Sequence, residues 1–427
     1  SGRSRGQPAL PGVLPDRVGL VAVAIFFVIR LVIRFAIRPA SVIMTGATQA
    51  AAPHERRYDL DWLRIIAFAL LIFYHVGMYY VTWDFHIKSP YASDAIEPLM
   101  MLTSPWRLTL LFVVSGAATH FLLLRRSAGP FVRERSRRLL WPLLFAMLVV
   151  VPPQSYYEVI QKGGYSLDYH EFWLRYLKAD HSFCMDGKCL DLPTWNHMWF
   201  VAYLWVYAML LALWLRLAPA SIERATRVGE RWLAGWRLIA LPVAYIALTR
   251  ITLLNAFPST HNLTWDWMNH ATFLPAFLFG VLFLHSPQIG ADLRRLRWHA
   301  ALIWLLTYVF MAIYFSTFNE QRPPPDALRY FQRVIWALNQ WCAIVAAFGL
   351  AQVYLNRDGP ARRYLTGAVF PLYLFHQTLI IVFAWKLQPL QITPLPEGLL
   401  LVLLTAIGSF ALYEAGRRVP YLRTLIG

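Results

Sequence analysis

The sequence predicts an all-α polytopic membrane protein, a bundle of about ten transmembrane helices with both termini in the cytoplasm. Three observations predict it. Of the 427 residues, 58% are hydrophobic and only 15% charged, where a soluble protein carries about 25% charge. Apolar windows of membrane-crossing length recur along the chain. Arginines crowd into alternate connectors between those windows, the bias that orients membrane helices. The 18 Trp and 21 Tyr suit aromatic belts at two interfaces better than one globular core. A net charge of +17 would fit nucleic acid, but its arginines sit in short loops between apolar runs. The expected partner is therefore the lipid bilayer, and no nucleic acid.

Windows of about 20 apolar residues fall at 60–82, 99–124, 138–153, 196–216, 236–254, 270–286, 299–318, 330–355, 366–386 and 396–416. The connector after the second window holds Arg125, Arg126, Arg133, Arg135, Arg137 and Arg138. Those after the fourth, sixth and eighth hold Arg224, Arg227 and Arg231, then Arg294, Arg295 and Arg297, then Arg357, Arg362 and Arg363. The tail adds Arg417, Arg418 and Arg423. The other connectors are poor in Lys and Arg, which places the long, mixed 154–195 loop outside. Residues 56–427 form the expected helical domain.

Residues 1–55 are expected to be an extension. Val18–Pro39 is apolar, but Arg30, Arg34 and Arg38 form one charged stripe. An amphipathic helix lying on the surface costs less than burying that stripe in an eleventh span. The alternative is that the native chain starts at Met44, since the sequence begins at Ser.

Of three cysteines, Cys342 lies in an apolar run and reads as packing. Cys184 and Cys189 bracket a tight polar turn that a disulfide would close in an oxidising compartment. Reduced thiols and a metal remain alternatives, although His181 with two Cys leaves a tetrahedral site one ligand short.

Ionisable groups inside a span are costly and usually face a cavity. The first window reads Arg64-Ile-Ile-Ala-Phe-Ala-Leu-Leu-Ile-Phe-Tyr-His75. Eleven residues bring Arg64 and His75 to one helix face, roughly 16 Å apart along the axis. Arg64 alone would fit snorkelling to the interface. His75 near mid-membrane fits a bland role less well, because its imidazole needs partners in hydrocarbon. Such a histidine can take a proton from a hydroxyl.

Arg107 lies inside the second window, ahead of Ser115-Gly116, whose small side chains suit helix packing. Arg135 and Arg138 share a helix face, and their planar guanidinium forks suit phosphate. A plain positive flank explains them equally well. His197, in Asn196-His197-Met-Trp199-Phe, and His376, in Phe370-Pro-Leu-Tyr-Leu-Phe-His376, sit in the outer halves of their windows. Each alone reads more readily as structural; together with His75 they are harder to assign to coincidence. Glu414 is spaced to pair with Arg417 or Arg418.

These residues, in this order, resemble the membrane-bound acyltransferase-3 family. Its hallmark Arg and His, ten residues between them in the first membrane helix, match Arg64 and His75. Its Phe-x-x-Ser-Gly element matches Phe112-Val-Val-Ser115-Gly116. Its Arg-x-x-Arg before an aromatic-Pro pair matches Arg135-Ser-Arg-Arg138-Leu-Leu-Trp141-Pro142. Arg107, His197-Met-Trp199-Phe200 and Tyr373-Leu-Phe-His376 are most similar to a branch that succinylates osmoregulated periplasmic glucans. The resemblance covers roughly residues 56–427 and leaves the cysteine loop unmatched.

The resemblance implies an integral inner-membrane O-acyltransferase. It would move a succinyl or acetyl group from cytoplasmic acyl-CoA to a hydroxyl of a periplasmic or cell-surface glycan. No tightly bound cofactor is implied; acyl-CoA is a co-substrate. His75 would be the general base, with Arg64 as its catalytic partner. Arg135, Arg138 and Arg107 would hold the donor, and His197, Trp199, His376 and Ser115 the acceptor. The rival reading is a transporter or flippase that moves a lipid or glycan without chemistry. Transporters often show paired Gly- and Pro-broken helices, a pairing that Pro242, Pro275 and Pro371 do not make.

Overall fold

Within hydrocarbon only a helix satisfies every backbone N–H and C=O along one segment, so each apolar run closes into one. A computed structural model describes residues 57–123, 128–185, 187–319 and 321–427. The extension expected at 1–55, with its Val18–Pro39 stretch, lies outside the described residues, as do Arg125 and Arg126.

Among the described residues seven helices are long and apolar enough to cross a membrane. They are α1 (Tyr58–Tyr80), a bent helix over Gly129–Gly163, α7 (Trp199–Leu217), α11 (Pro287–Thr317), α12 (Asp326–Tyr354), α13 (Pro360–Leu387) and α14 (Pro394–Arg418). Three more apolar helices, α3 (Arg107–Leu123), α9 (Arg237–Leu253) and α10 (Trp267–Phe283), have 17 residues each. At about 1.5 Å per residue they fall a little short of a hydrocarbon core of about 30 Å. Every expected window coincides with one of these ten helices. Between α7 and α9 the arginine connector is itself a helix, α8 (Pro219–Trp232), with no buried residue and a bend of 107° into α9.

Two boundaries differ from the sequence reading. The second window breaks after a short helix, α2 (Glu97–Met101), because Pro105 interrupts the chain before α3. Arg107 is therefore the first residue of α3, yet it is only 3% exposed. The third window continues beyond residue 153. Helix α4 (Ala128–Phe145) passes through a π turn at Ala146–Val150 into α5 (Pro152–Gly163). Pro152 and Pro153 have no N–H to give, so they start α5 and leave carbonyls of the π turn unpaired. Neighbouring side chains take these up. The Trp173 indole donates to Leu148 O at 2.9 Å, and the Tyr176 hydroxyl to Met147 O at 2.9 Å. Both belong to α6 (Tyr169–Leu177), which thereby docks on the span.

The remainder of the 154–195 connector folds over a small core of Val159, Phe172, Tyr176, Phe183 and Leu192. A two-stranded hairpin, β1 (Cys184–Met185) and β2 (Lys188–Cys189), is closed by a Cys184–Cys189 disulfide.

Two helix seams position the site. Between α3 and α10 the backbones touch: a Cβ on Gly116 would lie 2.0 Å from Phe277 O, and one on Gly280 2.0 Å from Val113 O. The α1–α13 seam joins helices that run in the same direction through polar contacts. At its arginine-rich end, Arg362 is 2% exposed and bonds Asp61 and Asp358. One turn on, Arg64 Nη2 donates to Thr366 O at 3.2 Å. Further along, His75 meets His376.

Candidate active site

The fifth turn of α1 carries His75 towards α13, where Pro371 opens the helix just ahead of Tyr373, His376 and Gln377. His75 Nδ1 lies 2.8 Å from His376 Nε2, and His376 Nδ1 lies 2.6 Å from Tyr373 O. A carbonyl only accepts, so the His376 proton sits on Nδ1. Neutral His376 then offers the Nε2 lone pair, and His75 Nδ1–H donates to it. The unshared pair of His75 is thereby fixed on Nε2.

His197 completes the cluster from the turn that opens α7, its ring centre 5.3 Å from that of His376. Its Nε2 donates to Leu374 O at 3.1 Å and its Nδ1 accepts from Gln154 Nε2 at 3.2 Å. Gln154 Nε2 also donates to Thr378 Oγ1 at 2.7 Å. Gln154 Oε1 accepts from Gln377 and from Asn196, both at 3.1 Å. The Tyr373 hydroxyl donates to His197 O at 2.5 Å. Of the six ring nitrogens in this cluster five are bonded, and His75 Nε2 is the one with no partner among the described residues. His376 is fully buried, whereas His75 retains some accessible surface.

Arg107 is the cation beside this cluster. Its guanidinium stacks 3.7 Å above the ring of Tyr74, the residue before His75, and Nη1 donates to Thr103 Oγ1 at 3.2 Å. Its Nε is buried with no hydrogen-bond partner, an arrangement that costs energy unless something else is bound there.

The other residues singled out from the sequence fall elsewhere. Arg64 shares a face with His75, but Phe68 and Leu71 between them are 9% and 3% exposed. The Phe68 ring packs 5.2 Å from Tyr373, so a packed apolar layer separates Arg64 from His75. Ser115 adjoins the α3–α10 contact, where its carbonyl accepts from Thr119 Oγ1 at 2.8 Å. Arg135 bonds the same Thr119 side chain and ties α4 to α3. Arg138 is 67% exposed and paired with Glu134 at 3.0 Å. Trp199 is 7% exposed in an aromatic cluster, its ring centre 4.2 Å from that of His261. Among the described residues no three His, Cys, Asp or Glu side chains form a metal-binding group.

Sequence reasoning missed Gln154, Gln377 and Thr378, and gave Tyr373 no role beyond the resemblance. Gln154 was expected in an external loop, and only the extension of α5 beyond the prolines brings it to His197. A glutamine in an apolar window, as at 377, is the one signal that would have drawn attention to the network.

A family model described as an acyltransferase domain, of the acyltransferase-3 type, matches residues 57–414. Curated relatives include the glucans biosynthesis protein C of Escherichia coli O6:K15:H31 (strain 536 / UPEC), 24% identical over 391 residues, covering 87% of this chain and 94% of that protein. The protein of the same name from Escherichia coli K12 is 23% identical over 385 residues, with the same coverage. No solved structure matches.

Proposed function

The chain belongs to the acyltransferase-3 family, and from that premise we propose that it carries an acyl group across a membrane to a carbohydrate. The donor is cytoplasmic acyl-CoA, succinyl or acetyl, and the acceptor is a hydroxyl of a periplasmic or cell-surface glycan. The membrane is the bacterial inner membrane, crossed by ten helices with both termini and the arginine-rich connectors inside. The observation that carries the reading is the open Nε2 of His75, the one free nitrogen in an otherwise saturated cluster.

In this reading the acceptor O–H gives its proton to His75 Nε2 as its oxygen attacks the thioester carbonyl carbon. The C–O bond forms, the C–S bond breaks, and the proton passes from His75 to the departing sulfur. The products are an O-acyl ester and free CoA thiol. His376 holds the His75 ring and shares the positive charge of the imidazolium, passing it towards Tyr373 O. Arg107, with its unpaired Nε, stabilises the oxyanion that builds on the carbonyl oxygen. Arg64 is too far from His75 for this role and secures the α1–α13 seam.

The test is transfer by the purified chain in lipid, read as ester formation on a glucan by mass spectrometry. His75→Ala and His75→Gln are each expected to slow transfer about 1,000-fold with an unchanged melting temperature. Normal acylation by a folded His75→Ala protein would remove the assignment.

A further inference from the structure

At the arginine-rich end, a cavity of about 460 Å³ opens between α13, α14 and the following short helix α15 (Pro420–Leu425). Its walls include Gly367, Pro371, Tyr413, Arg417, Arg418 and Arg423. Three guanidinium groups thus line one ligand-sized space. A single carboxylate offsets them: Glu414 pairs with Arg417 at 2.8 Å and Arg418 at 3.5 Å. Arg423 has no ion-pair partner among the described residues.

The deeper wall is also built for a guest. Pro371 has no N–H to return to the carbonyl of Gly367, one turn earlier, so that acceptor is left without its helical partner. A side chain at 367 would crowd the Tyr413 hydroxyl, since a Cβ there would lie 2.9 Å from it. Beside Gly367, Thr366 Oγ1 is buried with no hydrogen-bond partner. From Pro371 to His376 is five residues, roughly 7.5 Å along α13. The cavity therefore ends below the histidine cluster on the same helix.

We infer that this cavity, and not the Arg135–Arg138 face, holds the phosphate groups of the acyl donor. Arg135 turns one Nη to Thr119, its Nε staying buried and unpartnered, and Arg138 pairs with Glu134 one to one, whereas the three tail arginines have the single carboxylate of Glu414 among them and leave surplus positive charge around an open volume. Guanidinium forks bind phosphate oxygens in pairs. The ligand class is a phosphate-bearing carrier, either the nucleotide end of a soluble thioester or an anionic lipid headgroup. The nucleotide is the occupant that fits the proposed transfer, and the inference rests on that reading.

The experiment uses the full chain in phosphatidylcholine nanodiscs and measures binding of non-acylated CoA, which needs no chemistry. The triple variant Arg417→Gln/Arg418→Gln/Arg423→Gln is expected to weaken CoA binding at least 30-fold. The KM for acyl-CoA should rise equally, with kcat within threefold. Acyl-pantetheine, which lacks the nucleotide, should show the same KM with both proteins. Arg423→Gln alone, which disturbs no ion pair, should give a smaller loss in the same direction and report on a protein of native stability. Unchanged CoA binding in the folded variants would overturn the inference. So would a loss seen only as weaker retention of phosphatidylglycerol, which would assign the arginines to lipid. Loss of CoA binding alongside normal transfer by His75→Ala would sink the His75 mechanism and leave the cavity assignment standing.

Discussion

The α3–α10 seam and the α1–α13 seam differ in what touches across them. Along α3–α10, glycines at 116 and 280 let main chain meet main chain, and dispersion does the holding. Along α1–α13, helices stand apart far enough for polar side chains to bridge them: an Arg362 triad, Arg64 on a carbonyl, then two imidazoles. The first seam has no room for a guest. The second holds groups whose protons can move. Close packing has been placed where nothing must change, and satisfied polarity where something must.

The largest expected effect tests the tight seam. Gly116→Ala and Gly280→Ala would each force a methyl against a carbonyl oxygen, and overpacking of this severity costs about 3 kcal/mol or more. Little folded protein should survive size-exclusion chromatography in detergent. A monodisperse Gly116→Ala protein melting near the wild type would erase the contrast.

A middling effect is expected at the charged end of the polar seam. Asp61→Ala removes one of two carboxylates from buried Arg362, a loss of about 2 kcal/mol, while Asp358 still pairs with it. The melting temperature should fall, and transfer per folded molecule should not change. A drop in transfer with stability intact would move Asp61 into the chemistry.

The smallest effect on the fold, and the one that sharpens the comparison most, is at His376. His376→Gln should lower kcat on the order of 10-fold to 100-fold, as loss of an orienting partner does elsewhere, with KM values unchanged. The double variant His75→Ala/His376→Ala should be no slower than His75→Ala, since the two rings act as a unit. Additive losses would show that His376 works on its own.

Much of this was legible in the sequence. Apolar windows located every long helix, because lipid leaves the backbone no other solution. His75, His376 and His197 stood out through the cost of imidazoles in hydrocarbon. Boundaries were less legible: the third window was ended at residue 153, whereas Pro152 and Pro153 begin the next helical segment after a π turn. That one misreading hid Gln154. The separation of Arg64 from His75 was hidden for another reason, since spacing shows which face a residue shares but not that Phe68 and Leu71 fill it. Arg417 and Arg418 were legible as partners of Glu414, which they are; the cavity they line with Arg423 exists only once α15 folds back.

The contacts that lace α1 to α13 recur at a nearly constant sequence offset: 301 residues for Asp61–Arg362, 302 for Arg64–Thr366, 301 for His75–His376. Sliding either rod by one turn would uncouple all three together. Stepwise ratcheting is thus denied to this pair. Whatever breathing admits two substrates must shift α1 and α13 as a single strut, with the displacement absorbed along its flanks.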